Sequence, residues 1–312
     1  MNRTTALALI AAGAAAPRLA TAQTIPALEL AGVPEDSATP VVYGVQNGIF
    51  RRAGINVNLT SQGSGSAVAA GVIGGSYQVG KSSIVPLIIA VGKKIPIKIV
   101  AAGGIYRSTA PSIAMIVSID SPLKTAADLN GKTIGVSSPD DLYTLGLKAW
   151  MDKNGGNAAS LKLLALPQAE IEAALAAKRI DAGSSSTPQL QSALDSGKVR
   201  VFCDMCDAIA GRFMFTAWFS SDQTITSRHA DIAAFVRAER QAAVYTNSHP
   251  ADTVAPMAAF AKIEPGVIAK MIRTQNGTTL DPKLIQPAID VCARYNVIPE
   301  RFNAATMLAP GM

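Results

Sequence analysis

Cysteine, histidine and tryptophan are scarce in this chain: three, two and two in 312 residues. So few thiols and imidazoles leave little material for redox, nucleophilic or metal chemistry. Cys203 and Cys206 form one C-x-x-C, and no second pair completes a zinc site. Their neighbours Asp204 and Asp207 disfavour thiolates, the reverse of what a redox-active pair needs. The pair therefore reads as a structural disulfide or as two inert thiols, and Cys292 as a buried residue. His229 and His249 fall in helix-like sequence, and neither G-x-S-x-G nor H-E-x-x-H occurs. No enzyme activity, no cofactor and no metal site are expected.

Charge is sparse as well, at 16% Asp, Glu, Lys and Arg, with 28 basic against 22 acidic side chains. No basic run exceeds Arg51-Arg52 or Lys93-Lys94, a pattern that excludes a nucleic-acid footprint. Long hydrophobic runs are missing too. The best candidate, residues 84–100, is interrupted by Lys93, Lys94 and two prolines, short of the roughly 18–20 apolar residues a membrane span requires.

What the chain has is apolar content, 49% of its residues, and a length beyond the usual size of one core. Two lobes are the natural division. At the start stand Arg3, an apolar run over residues 6–16, then Ala20, Thr21 and Ala22 before Gln23. This order fits a signal peptide cleaved after Ala22, so the mature protein is expected outside the cytoplasm.

One phrase occurs twice, as Val72-Ile-Gly-Gly-Ser-Tyr-Gln-Val-Gly-Lys-Ser-Ser83 and as Leu175-Ala-Ala-Lys-Arg-Ile-Asp-Ala-Gly-Ser-Ser-Ser186. Each copy leaves a small-residue helix, enters a short strand and ends in glycine and hydroxyls. Open α/β sheets bind ligands at the carboxyl ends of their strands, so two such ends suggest two lobes around one ligand.

The surrounding sequence repeats a strand–helix grammar. Strands are expected at residues 26–32, 55–59, 95–101, 112–118, 132–136, 161–166 and 198–202, and a long one at 212–219. Helices are expected from Pro40 to about Ala53, at 84–91, at 121–131, up to about Asn154, at 169–178 and at 188–196. From Ser227 onward the period is nearly all helical. That tail is expected to pack back on the first lobe, with the chain crossing between lobes near residues 106–111 and 210–213.

The segments Pro40-Val-Val-Tyr-Gly-Val-Gln-Asn-Gly-Ile-Phe-Arg-Arg-Ala-Gly-Ile-Asn-Val57, Ser121-Pro-Leu-Lys-Thr-Ala-Ala-Asp-Leu-Asn-Gly-Lys-Thr-Ile-Gly-Val136 and Leu175-Ala-Ala-Lys-Arg-Ile-Asp-Ala182 carry a resemblance. In order and spacing the chain resembles the nitrate/sulfonate/taurine group of periplasmic substrate-binding proteins of ABC transporters, which includes thiamine-precursor binders. The resemblance implies a type II periplasmic-binding α/β fold. Its two lobes each carry a mainly parallel sheet flanked by helices, joined by two crossing segments. It divides the mature chain into a discontinuous lobe 1 (23–108 and 214–312) and a lobe 2 (109–213). It also implies that a monomer binds a small carboxylate- or sulfonate-bearing solute in a cleft that closes on it, and delivers it to an ABC permease. Two rivals are a sensory protein that hands its ligand to a receptor and an enzyme on the same fold.

The family pattern would place ligand contacts at Glu35, Asp36 and Ser37, at Gly63, Ser64 and Ser66, and at Lys81, Ser82 and Ser83. In lobe 2 it would use Ser138, Asp140 and Asp141, then Ser185, Ser186 and Thr187, with Phe213 near the second crossing. The residues argue partly on their own behalf. Gly63 to Ser66 precede a helix, where free N–H groups seat an anion. Lys81 is the one basic residue in either glycine-and-hydroxyl ending and could pair with an acidic ligand. Asp140 and Asp141 either cap a helix or receive a ligand donor, and Tyr143 or Phe213 either packs in the core or stacks on a ring.

Overall fold

A computed structural model describes residues 27–311. The expected signal peptide and its cleavage after Ala22 lie outside the described residues. The chain opens with β1 (Ala27–Gly32), α1 (Thr39–Gln46), α2 (Ile49–Arg52), β2 (Asn56–Ser61), α3 (Gly65–Ile73), β3 (Val79–Ser83), α4 (Ile84–Gly92) and β4 (Ile97–Ala102). It crosses on β5 (Gly104–Arg107) and builds β6 (Ile113–Ser118), β7 (Thr133–Val136), α5 (Leu142–Lys153), β8 (Lys162–Ala165), α6 (Ile171–Ala176), β9 (Ala182–Ser186), α7 (Gln189–Asp195) and β10 (Val199–Cys203). It returns on β11 (Arg212–Met214) to β12 (Thr216–Ser221), α8 (Asp222–Ser227), α9 (His229–Ser248), α10 (Val254–Ala261), α11 (Pro265–Lys270), β13 (Gln275–Asn276) and α12 (Gln286–Arg294).

Two five-stranded sheets result, in the orders β2-β1-β3-β12-β4 and β8-β7-β9-β6-β10. The two orders correspond strand for strand, which confirms two α/β lobes of one plan. In each sheet the β-α-β-α-β run pairs in parallel, β1 with β2 and β3, and β7 with β8 and β9. The strand reached after a crossing, β12 or β6, enters antiparallel between the third strand and the edge. Both twin phrases thus become the central strand of a lobe.

The glycine of the phrase has a packing reason. A Cβ at Gly80 would stand 2.7 Å from both Phe219 and Val68 and 2.8 Å from Val72, and one at Gly183 would collide with Ile171. Only glycine lets α3 and α6 sit this close to their strands.

Several expected elements differ in the fold. The helix from Pro40 breaks at Gly48, whose φ of 69° is left-handed, so it becomes α1 and α2. The helix expected at 121–131 is only a 3-10 turn, Ala127–Leu129. There the Asp128 carboxylate accepts from the N–H groups of Lys124 and Thr125 and competes with helical pairing. The single strand expected at 212–219 divides at Phe215 into β11 and β12, which belong to different sheets.

Strands β5 and β13 were not foreseen. Both crossing segments are strands that pair antiparallel, Tyr106 opposite Phe213, and β13 adds a third strand to this hinge sheet. The helical tail packs on the helices of the first sheet. Tyr43 of α1 stacks on Tyr245 of α9, and Phe50 of α2 on Phe235, with ring centroids 5.1 and 5.7 Å apart. Its end also reaches the second lobe, where the Tyr295 hydroxyl donates to Asp152 at 2.6 Å. Among the described residues no helix is long and apolar enough to cross a membrane.

Candidate functional site

The carboxyl ends of β1, β2 and β3 face those of β7, β8 and β9 across a cleft, and one carboxylate stands at its centre. Glu35 follows β1 and has left the strand for the turn that starts a 3-10 helix. Its Oε2 accepts from Lys81 Nζ at 3.4 Å, an ion pair whose side chains are 1% and 11% exposed. Its Oε1 faces the other lobe and accepts from the Tyr143 hydroxyl at 3.0 Å, Gln168 Nε2 at 3.1 Å and Ser186 Oγ at 3.5 Å. Both copies of the phrase therefore meet on Glu35, the first through Lys81 and the second through Ser186.

Lys81 is wholly buried, and its ammonium also donates to Ser37 Oγ at 2.6 Å. Burial lowers its pKa, with Glu35 opposing that shift. The charge that the sequence suggested for a ligand is met inside the protein. Burial, then the nearby Glu35 charge, drives the Tyr143 phenol well above its ordinary value, so the group is a donor throughout the working range.

Beside this network lies a cavity of about 20 Å³, room for about one water. Glu35, Gly63, Ser64, Ser66 and Ser83 line it from lobe 1, and Ser138, Asp141, Tyr143 and Gln168 from lobe 2. On the far side of Glu35 and Gln168 the cleft continues as a larger mouth of about 200 Å³. Glu35 and Gln168 line both parts, and their hydrogen bond stands between them.

Two helices begin at the inner cavity, and each is closed by its own cap. Ser64 Oγ accepts from the N–H of Ala67 at 3.2 Å at the head of α3. Asp141 accepts from the N–H of Thr144 at 2.8 Å and of Ser138 at 3.2 Å, and from the Ser137 hydroxyl, at the head of α5. Burial raises the Asp141 pKa against these hydrogen bonds. Gly65 is held against β3: a Cβ there would stand 2.6 Å from Ser82 Oγ. Ser83 lines the cavity, and its Oγ is buried without a partner among the described residues.

Of the sixteen side chains expected at the ligand, the structure brings Glu35, Gly63, Ser64, Ser66, Ser83, Ser138 and Asp141 to the inner cavity. Lys81, Ser37 and Ser186 stand one bond behind it, through Glu35 or Lys81. Ser82 donates to the Gly65 carbonyl, and Ser185 is buried in β9 opposite Ala114. Thr187 accepts the Asp36 N–H on its carbonyl at 3.1 Å.

Three of the expected residues lie away from the inner cavity. Asp36 turns away from the cleft into an ion pair with Arg273 at 2.8 Å and also accepts from Thr39 and the Thr274 N–H. Asp140 is exposed and lines no part of the inner cavity, because Asp141 alone occupies the helix cap. Phe213 is fully buried against Tyr106, ring centroids 5.1 Å apart, because β11 turns it into the core. Gln168 was missed. It begins the segment after β8, and the strand-end rule that drew attention to β3 and β9 applies there too.

The thiols play no part in the cleft. Cys203, Cys206 and Cys292 are free and buried, and burial raises all three, Cys292 to about 12.

Two matched lobes, a double crossing and a cleft at the strand ends define a periplasmic-binding-protein fold. Residues 36–253 match the family model described as NMT1/THI5 like, and the chain belongs to that family. A comparison with curated protein sequences finds no relative. Among solved structures, the alkanesulfonate-binding protein SsuA from Xanthomonas axonopodis pv. citri, bound to MOPS, is similar at 18% identity and a TM-score of 0.76, over 91% of this chain and 98% of that one. The ligand-binding component of an ABC-type import system from Staphylococcus aureus, with zinc bound, is similar at 15% identity and a TM-score of 0.78, over 91% and 96%. The desulfurization enzyme DszB shares the fold at 16% identity and a TM-score of 0.67, over 91% and 96%. The fold thus serves both binding proteins of import systems and an enzyme.

Proposed function

We propose that this protein is an exported solute-binding protein that captures a small organic molecule between its lobes and presents it to an ABC permease. The observation that carries the reading is the Glu35 carboxylate, which ties donors of both lobes together at the strand ends, where the fold binds ligands. A solute that takes over those donors bridges the lobes in the same way, and such bridging favours the closed form. The inner cavity supplies serine hydroxyls to an acidic group, and Glu35 and Asp141 to a donor. A solute with a carboxylate or sulfonate at one end and an N–H or O–H at the other uses both sets.

A binding role is favoured over an enzymatic one by the cavity lining, which contains hydroxyls, carboxylates and an amide but neither thiol nor imidazole. The carboxylates that line it are already engaged, Asp141 as a helix cap and Glu35 as the link between the lobes, so the groups present are arranged to hold a molecule rather than to convert it. We read the protein as a monomer that reaches the periplasm through its leading segment. Mass spectrometry of what the purified protein releases on denaturation identifies the solute. That compound raises the melting temperature by several degrees at one hundred times its Kd. A protein that releases nothing and is unmoved by sulfonates, carboxylates, ureas and pyrimidines is not a small-molecule binder.

A further inference from the structure

The turn that follows β1 is bonded to the second lobe at three successive residues. The Pro34 carbonyl accepts from Gln189 Nε2 at 3.3 Å, Glu35 Oε1 accepts from Tyr143, Gln168 and Ser186, and the Asp36 N–H donates to the Thr187 carbonyl at 3.1 Å. Those partners belong to the head of α7, to α5, to the segment after β8 and to the end of β9. One short turn thus gathers four parts of the other lobe.

A loose loop would simply follow whichever lobe it touched, but this turn is fixed to its own. Lys81 holds Glu35 and is itself bonded to Ser37, while the Asp36 carboxylate is held by Arg273 at 2.8 Å, by Thr39 and by the Thr274 N–H at 2.6 Å. Both acidic side chains are buried. The bonds of the turn to the second lobe therefore resist opening and do not travel with it.

The receiving side is fixed as well. Gln168 Oε1 accepts from the N–H of Ser186 at 3.0 Å and from its hydroxyl at 2.9 Å, which leaves the amide nitrogen to face Glu35 as a donor. Hydrogen bonds to a charged acceptor are the stronger kind. The ion pair of Lys270 on α11 with Asp195 on α7 spans the lobes too, at 2.8 Å, but its lysine is 58% exposed and such a pair contributes little.

We propose that the turn Pro34–Asp36 is a built-in latch, which holds the lobes closed through the protein's own contacts. It supplies from within the bridging that a solute supplies from without, so the closed form predominates before a solute arrives. The inference concerns the lobes alone and stands whatever the cleft binds.

The test measures the distance between spin labels on Ser61→Cys and Glu170→Cys, two exposed positions on opposite lobes, in the full chain refolded after dialysis in denaturant to strip any solute. A short distance is expected to dominate. Tyr143→Phe with Gln168→Ala removes two donors to Glu35 and leaves Lys81 paired; the ratio of closed to open is expected to fall about tenfold or more. Gln168→Ala alone, at a half-buried position, is expected to open the lobes less, and it decides the matter should the double variant not fold. Asp140→Asn, exposed and outside the latch, is expected to leave the distances unchanged. A long distance dominating in the protein with its latch intact overturns the proposal, as do equal distance distributions with and without the donors.

Discussion

At the end of β3 the chain sets a lysine and two serines, and at the end of β9 three serines and a threonine, although both strands sit third in sheets of the same order. Read as sequence, the difference gives one lobe a charge and the other only hydroxyls. In the fold the charge of the first lobe is answered within that lobe by Glu35, and the same carboxylate extends its second oxygen to the hydroxyls of the other. The two endings are complementary through a third residue that belongs to neither. A lone basic residue at a strand end is therefore weak evidence of an acidic ligand until its own partners are known.

The comparison breaks most severely at Glu35. Glu35→Ala strands the Lys81 ammonium in a buried site and is expected to cost about 3–5 kcal/mol in urea unfolding. Adding Lys81→Met, which removes the stranded charge, should recover most of that loss; no recovery would mean that Lys81 is not the partner that matters. Next come the paired glycines. Gly80→Ala drives a methyl into Phe219, Val68 and Val72 together, whereas Gly183→Ala meets mainly the Ile171 side chain, which can rotate. Both fall in the range of about 1–3 kcal/mol for overpacking, with Gly80→Ala the larger in parallel melts. The caps give the smallest contrast. Asp141→Ala removes a buried cap with three donors and should cost about 1–2 kcal/mol, and Ser64→Ala, with one donor, about 0.5–1 kcal/mol. Equal losses would show that the two helix heads are closed equally well.

Much of the architecture was legible because hydrophobic period and glycine or proline punctuation mark strands and helices, and the order of elements then restricts the topology. The crossings were placed by sequence, the second inside an expected strand but the first not as a strand. β5 and β13 are four and two residues long, too short for a period, and form because β5 finds β11 on one side and β13 on the other. The false helix at 121–131 has helix-like residues, but Asp128 caps its own neighbours. At the site, the strand-end positions Ser64, Ser83, Ser138 and Asp141 line the cavity, whereas Ser82, Ser185 and Thr187, also at strand ends, do not. Asp140 stands beside the true cap, and the face of Phe213 is set by its pairing with Tyr106. That Glu35 links both lobes, and that Gln168 shares it, depends on how far the lobes close, a quantity no local pattern contains.

The paired crossing strands have a mechanical meaning. Two separate tethers would let the second lobe slide and tilt freely, whereas β5 and β11 are bonded along Arg107–Arg212, Tyr106–Phe213 and Ile105–Met214. The ribbon locks the two crossings in register, so neither can shift along the other without breaking this ladder, and the lobes share one jointed tether in place of two loose ones.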